Sequence, residues 1–156
     1  MSDTFYRDLN QQLKGLLTGE TNWVTNLSQT SALLNQYLEN INWVGFYLTQ
    51  KDGNLLLGPF HGKPACVHIE SGKGVCGTAA ASREIQVVGD VHQFPGHIAC
   101  DAASESEIVL PIIVDDKVVG VLDIDSPVLS RFNQDDAKGL QAIVETLIAA
   151  TEWPSI

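Results

Sequence analysis

The sequence has few basic residues. Its 156 residues include nine lysines and arginines against 19 aspartates and glutamates, which gives a formal net charge of -10. The basic residues are scattered singly along the chain, so they form no basic patch. A chain of this charge repels phosphate backbones and anionic lipid surfaces. The composition therefore argues against nucleic acid and against a membrane as the main partner.

Long apolar runs are also lacking. No run approaches the roughly 20 residues that span a bilayer, and the first residues, MSDTFYRDLNQQL, lack the basic and then apolar build of a signal peptide. We therefore expect a cytoplasmic protein. The only cysteines are Cys66, Cys76 and Cys100. An odd number of cysteines in such a protein argues against a structural disulfide framework and fits reduced or redox-active thiols.

Internal repeats, linkers and low-complexity tracts are absent as well. The chain is 44% apolar, and a chain of this length buries about two-thirds of its unfolded surface on folding. The sequence thus predicts one globular domain over residues 1–156.

The hydrophobic pattern predicts the order of helices and strands. Helical spacing indicates amphipathic helices over 5–17, 26–38 and 133–148. Asp52-Gly53 and the run 115–117 each separate two β-rich stretches, which predicts two hairpins. Short strands over 65–70 and 84–91 flank a glycine-rich segment, 71–82, that leads into a short helix. Tight turns between strands imply antiparallel pairing, so we predict an α+β fold with a central antiparallel sheet flanked by helices.

The three cysteines lie in loops or at strand edges. A single cysteine is more often a small buried apolar residue than a reactive group. However, Cys100 follows a Pro95-Gly96 turn, whose backbone N–H groups can stabilise a thiolate or an oxyanion. Cys76 lies in the glycine-rich segment, and Cys66 begins a predicted strand. A nucleophile and a resolving partner among the three are physically reasonable, and the residues alone leave the assignment open.

A metal site is the competing interpretation of these residues. His97 and Cys100 have an H-x-x-C spacing, but the paired signatures of closed zinc sites are missing from the sequence. We therefore expect no metal ion and no bound cofactor, and we interpret the four histidines as solvated or packed.

Carboxylates and aromatic residues indicate a pocket. Asp123 and Asp125 are two residues apart, which places both side chains on one face of a strand. Buried carboxylates carry a desolvation cost, so the pair must reach water on an exposed sheet face or meet a cation such as an ammonium group, with Glu107 nearby. Trp43 and Tyr47 share a strand face too. They belong either to the core or to the apolar wall of a small-molecule pocket.

Several motifs together point to a known family. They are NWVGFYL, LGPFHGKPAC, GKGVCGTAA, VVGDVHQFPGHIACDAASESEIVLPI and GVLDIDSP followed by RF. With these motifs the sequence resembles the free methionine-(R)-sulfoxide reductases, single-domain proteins of the GAF fold, from about Trp43 to Leu140. The resemblance implies an oxidoreductase that reduces free L-methionine-(R)-sulfoxide to methionine and uses thioredoxin as its external reductant. It also makes a homodimer possible.

The resemblance implies a role for each cysteine. Cys100 in GHIACD would be the nucleophile that becomes a sulfenic acid. Cys66 in GKPAC would resolve it as an intramolecular disulfide. Cys76 in GVCGTA would be the third family cysteine, able to form an alternative disulfide.

The resemblance also implies a substrate site. Glu107 would be a catalytic carboxyl at this site, and Asp123 and Asp125 would bind the substrate beside it. Trp43 and Tyr47 would form the wall around the methyl end of the substrate. Two alternatives to the reductase stay open at this point: a GAF module that binds a nucleotide or small metabolite and regulates a partner, and a thiol redox sensor or peroxide scavenger.

Overall fold

A computed structural model describes residues 1–97 and 103–154. The helices within these ranges are α1 Asp3–Leu17, α2 Trp23–Tyr37, α3 Gly74–Ser82 and α4 Gln134–Ala150. The strands are β1 Trp43–Thr49, β2 Leu55–Gly62, β3 His68–Ile69, β4 Gln86–Val88, β5 Ser106–Val114 and β6 Lys117–Ser126. A short 3-10 turn, Val91–Gln93, follows β4. None of the helices in the described ranges is long and apolar enough to cross a membrane.

Polar side chains cap three of the helices at their first turn. Ser2 accepts a hydrogen bond from the Phe5 N–H at the start of α1, and Asn22 accepts one from the Thr25 N–H at the start of α2. A capping box formed by Asn133 and Asp136 begins α4. These bonds satisfy backbone donors that a helix start otherwise leaves without a partner.

The strands form one antiparallel sheet in the order β3-β2-β1-β6-β5-β4. The predicted hairpins are β1-β2 and β5-β6, and pairing of β1 with β6 joins them at the centre of the sheet. Gly53, Asp115 and Asp116 at the two turns have positive φ angles of 86°, 50° and 65°. Tight hairpin turns require this backbone conformation, which glycine and aspartate tolerate best. The predicted α+β fold class is confirmed.

The two faces of the sheet bury different clusters. Val44, Phe46 and Leu48 of β1 point into the larger core, which the apolar residues of α1, α2 and α4 fill. Trp43 and Tyr47 point to the opposite face, where they pack with Val75, Cys76 and Ala79 of α3. The two-residue period of the strand produces this division. The face covered by α3 is the one that carries the acidic side chains of β5 and β6.

Two predicted strands are shorter in the structure. The strand predicted over 65–70 is reduced to β3, and the one predicted over 84–91 ends at Val88. Asp90 ends the second strand because its side chain accepts a hydrogen bond from the His92 N–H and begins the 3-10 turn.

Candidate active site

Strand register brings three acidic side chains together on the α3 face. Glu107 of β5 pairs with Asp125 of β6, which pairs on its other side with Trp43 of β1. Asp123 lies two residues before Asp125 on the same face. Glu107 and Asp123 are 7% and 5% exposed. An exposed sheet face, one of the two interpretations of the aspartate pair, is therefore wrong for Asp123.

Burial changes the acidity of these groups. Burial raises the pKa of Glu107 well above its usual value, and the charges of Asp123 and Asp125 raise it further. Burial also raises the pKa of Asp123, while hydrogen bonding with Glu107 opposes that rise. Two buried carboxyls this close cannot both ionise readily. Both burial and the neighbouring charges raise the pKa of Glu107, so Glu107 is the carboxyl better suited to donate a proton.

Asp123 has an unused acceptor. Its Oδ1 atom is buried and has no hydrogen-bond partner among the described residues. A buried carboxylate oxygen without a donor is costly, and a cationic ligand would supply the missing donor.

Cys76 lies at the start of α3, against the acidic cluster. Its thiol is buried and free, and Sγ is 4.0 Å from Glu107 Oε2. Burial raises the pKa of Cys76, and the negative charges of Asp123 and Glu107 add to the rise. A nucleophilic cysteine needs the opposite shift. The geometry therefore keeps Cys76 as a neutral thiol beside the carboxyls.

Trp43 and Tyr47 form an aromatic wall beside the acids. Their ring centroids are 5.9 Å apart, and the Trp43 ring also stacks on Phe60 at 5.2 Å. The polar ends of both side chains bind the segment before β3: Trp43 Nε1–H donates to the Lys63 carbonyl at 3.1 Å, and the Tyr47 hydroxyl donates to the Cys66 carbonyl at 3.0 Å. The wall thus fixes the segment that carries Cys66.

One pocket contains most of the predicted site residues. Those that line it are Trp43, Tyr47, Cys76, Glu107, Asp123 and Asp125. Pro64 and Ala65 also line it, so Cys66 follows directly on the pocket wall. Cys100, the predicted nucleophile, lies outside the described residues.

The pocket also contains residues that sequence reasoning missed. Lys63, Lys73, His97 and Ser104 line it. Ser104 is buried, and its hydroxyl accepts a hydrogen bond from Asn42 Nδ2 at 3.2 Å. Their positions in the sequence could have indicated this, because each of the four lies within the family motifs or beside a predicted site residue.

The acidic cluster could hold a cation by distance alone. Ligand atoms of Cys76, Glu107 and Asp123 lie within 4.8 Å of one another. A metal ion needs a thiolate and carboxylates, whereas burial favours the protonated forms of Cys76 and Glu107. An ammonium group, which needs only acceptors, fits these residues better.

Comparison with known proteins identifies the family. The GAF domain model matches residues 24–152. Over 152 residues the chain is 53% identical to the free methionine-R-sulfoxide reductase of Escherichia coli, covering 96% of this chain and 92% of that protein. A solved structure of fRMsr of Staphylococcus aureus in its reduced form is 56% identical, with a TM-score of 0.90 and coverage of 93% of this chain and 94% of that one. The X-ray structure of the free methionine-R-sulfoxide reductase of Neisseria meningitidis in complex with its substrate is 42% identical, with a TM-score of 0.91. The match covers 95% of this chain and 89% of that one. The chain is thus an oxidoreductase that belongs to the GAF-domain family of free methionine-(R)-sulfoxide reductases.

Proposed function

We propose that this protein reduces free L-methionine-(R)-sulfoxide to L-methionine. The observation that carries the proposal is the pocket in which a buried acidic cluster faces an aromatic wall. An amino-acid zwitterion with an apolar end is the ligand that this combination suits. The names of the relatives in Escherichia coli and Neisseria meningitidis agree with this substrate.

The acidic cluster would recognise the substrate's ammonium group. Asp123 offers a buried oxygen without a described donor, and Asp125 lies on the same face. The methyl end of the substrate would lie against Trp43 and Tyr47. A methionine inside a polypeptide has an amide in place of the ammonium group, so it would leave the Asp123 carboxylate unpaired. This cost would favour the free amino acid.

The reductive step would use Cys100 and Glu107. The Cys100 thiolate would attack the sulfoxide sulfur while the protonated Glu107 carboxyl donates a proton to the sulfoxide oxygen. The oxygen would transfer to Cys100, leaving a sulfenic acid, and methionine would depart with its sulfur reduced by two electrons. The raised pKa of Glu107 supports its role as the proton donor.

Cys66 would complete the cycle. Its thiol would condense with the Cys100 sulfenic acid, releasing water and forming an intramolecular disulfide. An external dithiol, thioredoxin, would reduce this disulfide and restore both thiols. The Tyr47 hydroxyl supports the assignment because it binds the Cys66 carbonyl beside the pocket. We also propose that the protein acts in the cytoplasm and that it forms a homodimer.

The acidic pocket argues against the alternative of a nucleotide-sensing module. Phosphate groups carry negative charge, and the carboxylates of Asp123 and Asp125 would repel them at short range.

Two cysteine variants test the mechanism. Cys100→Ser should abolish NADPH oxidation coupled through thioredoxin on the free R sulfoxide. Cys66→Ser should lose turnover but still release about one methionine per chain in a single turnover, because the first chemical step needs Cys100 but not Cys66. Full steady-state activity of Cys100→Ser would overturn the assignment of the nucleophile, and absence of any methionine from Cys66→Ser would overturn that of the resolving cysteine.

A further inference from the structure

A second group of potential ligand side chains lies at the start of β5. Asp90, His92 and Glu105 each contribute one nitrogen or oxygen atom, and these atoms all lie within 4.8 Å of one another. The backbone holds the group together: the Val91 N–H donates to the Glu105 carbonyl at 2.9 Å. The Asp90 carboxylate is oriented by its hydrogen bond from the His92 N–H at 3.0 Å. The catalytic proposal uses none of these three side chains.

The spacing of the group matches metal coordination. His92 Nε2 and Glu105 Oε2 are 3.4 Å apart. In a tetrahedral zinc site with metal–ligand bonds of 2.0–2.1 Å, neighbouring ligand atoms are separated by about 3.3 Å. One imidazole with two carboxylates is also a donor set that Zn²⁺ and Ni²⁺ accept.

His97 can complete the coordination. Its ring centroid is 6.3 Å from that of His92. Two imidazoles on one tetrahedral ion have centroids about 5 Å apart, so His97 would have to move about 1 Å closer to His92 to share an ion with it.

We propose that Asp90, His92, Glu105 and His97 bind a divalent transition-metal ion, and that this ion slows the reductase. His97 lines the active-site pocket, and Cys100 lies between His97 and Glu105 in the chain. An ion bound by His97 draws that side chain out of the pocket and so changes the lining of the active site. The slowing rests on the proposed function, whereas metal binding does not.

The four histidines allow a direct binding test. Each gives its own imidazole signals in a proton–nitrogen NMR spectrum, and paramagnetic Ni²⁺ broadens the signals of nearby nuclei. Substoichiometric Ni²⁺ should broaden the signals of His92 and His97 and leave those of His61 and His68 sharp.

A matched pair of variants tests the affinity of the site. His92→Gln should weaken Ni²⁺ binding by about tenfold or more, since removing even an outer partner of a ligand costs that much. His68→Gln, a change at an exposed histidine of β3, should leave it unchanged. Equal broadening of all four histidines, or unaltered affinity in His92→Gln, would overturn the site.

A kinetic test addresses the inhibition. Pre-reduced protein without thioredoxin should release methionine more slowly when Ni²⁺ is present, and His92→Gln should be insensitive to the ion while matching wild type without it. Nickel-bound wild type that reacts at the metal-free rate would refute the inhibition. Absence of methionine from metal-free wild type would instead refute the proposed function, and the NMR result would be unaffected.

Discussion

Asp123 is the residue to which the proposed function assigns most of the recognition of the substrate's ammonium group. We expect Asp123→Asn to raise KM for the free sulfoxide about tenfold, because a hydrogen bond to a charged group contributes roughly 1.5–3 kcal/mol. Asp116→Asn is the matched control: it removes the same charge from a side chain that is 94% exposed. Steady-state kinetics of the two variants decide the matter. An unchanged KM in Asp123→Asn would remove this residue from the substrate site.

In the ligand-free protein, the buried Glu107 carboxyl should lower the free energy of unfolding at neutral pH. Its folded pKa is raised above 4.5, its ordinary value, so the folded state retains a proton that the unfolded state loses as the pH rises. Folding stability therefore falls with increasing pH above about 4.5 on account of this group. Glu107→Gln removes that penalty. The variant should be more stable than wild type at pH 8, and the difference should shrink toward pH 4.5.

Urea unfolding at several pH values measures this difference, in which the titration of groups that do not interact with Glu107 cancels. A constant difference across the range, or a variant that is less stable at pH 8, would show that Glu107 is not held protonated by burial.

At the scale of elements, the packing of α1 on α4 depends on one glycine. A Cβ at Gly139 would overlap the Tyr6 ring, whereas a Cβ at Gly15 in α1 meets nothing within 4 Å. Both substitutions by alanine gain helix propensity. We expect Gly15→Ala to stabilise the protein by about 0.5–1 kcal/mol and Gly139→Ala to destabilise it by about 1–3 kcal/mol. Chemical denaturation tests both, and equal effects of the two changes would contradict this packing.

Most elements were predictable because local signals agree with the fold. The hairpin around Gly53 has strong turn residues between β-rich runs, and the α4 helix has a regular apolar face. The strand predicted over 84–91 failed at Asp90 because an aspartate that caps its own backbone competes with strand pairing. The hydrophobic periodicity of the sequence does not show where such side-chain capping ends a strand.

At the scale of the whole molecule, the site could be predicted only in parts. Strand periodicity predicts that Asp123 and Asp125 share one face of β6. Their proximity to Glu107, Trp43 and Cys76 depends on how β1, β5 and β6 pair and on which face of the sheet α3 covers. Single-sequence patterns do not contain this information. His92 and Glu105 likewise show no metal-binding motif in the sequence. They meet because the 3-10 turn that carries His92 bonds through its Val91 N–H to the Glu105 carbonyl. The roles of Cys66 and Cys100 remain predictions.

The most direct test of the central claim is a substrate comparison. Purified protein with thioredoxin, thioredoxin reductase and NADPH should be given four substrates in turn: the R and S diastereomers of methionine sulfoxide, each as the free amino acid and within a blocked peptide. NADPH oxidation and methionine formation should both be measured. We predict turnover of the free R diastereomer and little or none of the other three. Equal turnover of the peptide-bound R sulfoxide, or no reduction of the free R sulfoxide by any dithiol, would contradict the account.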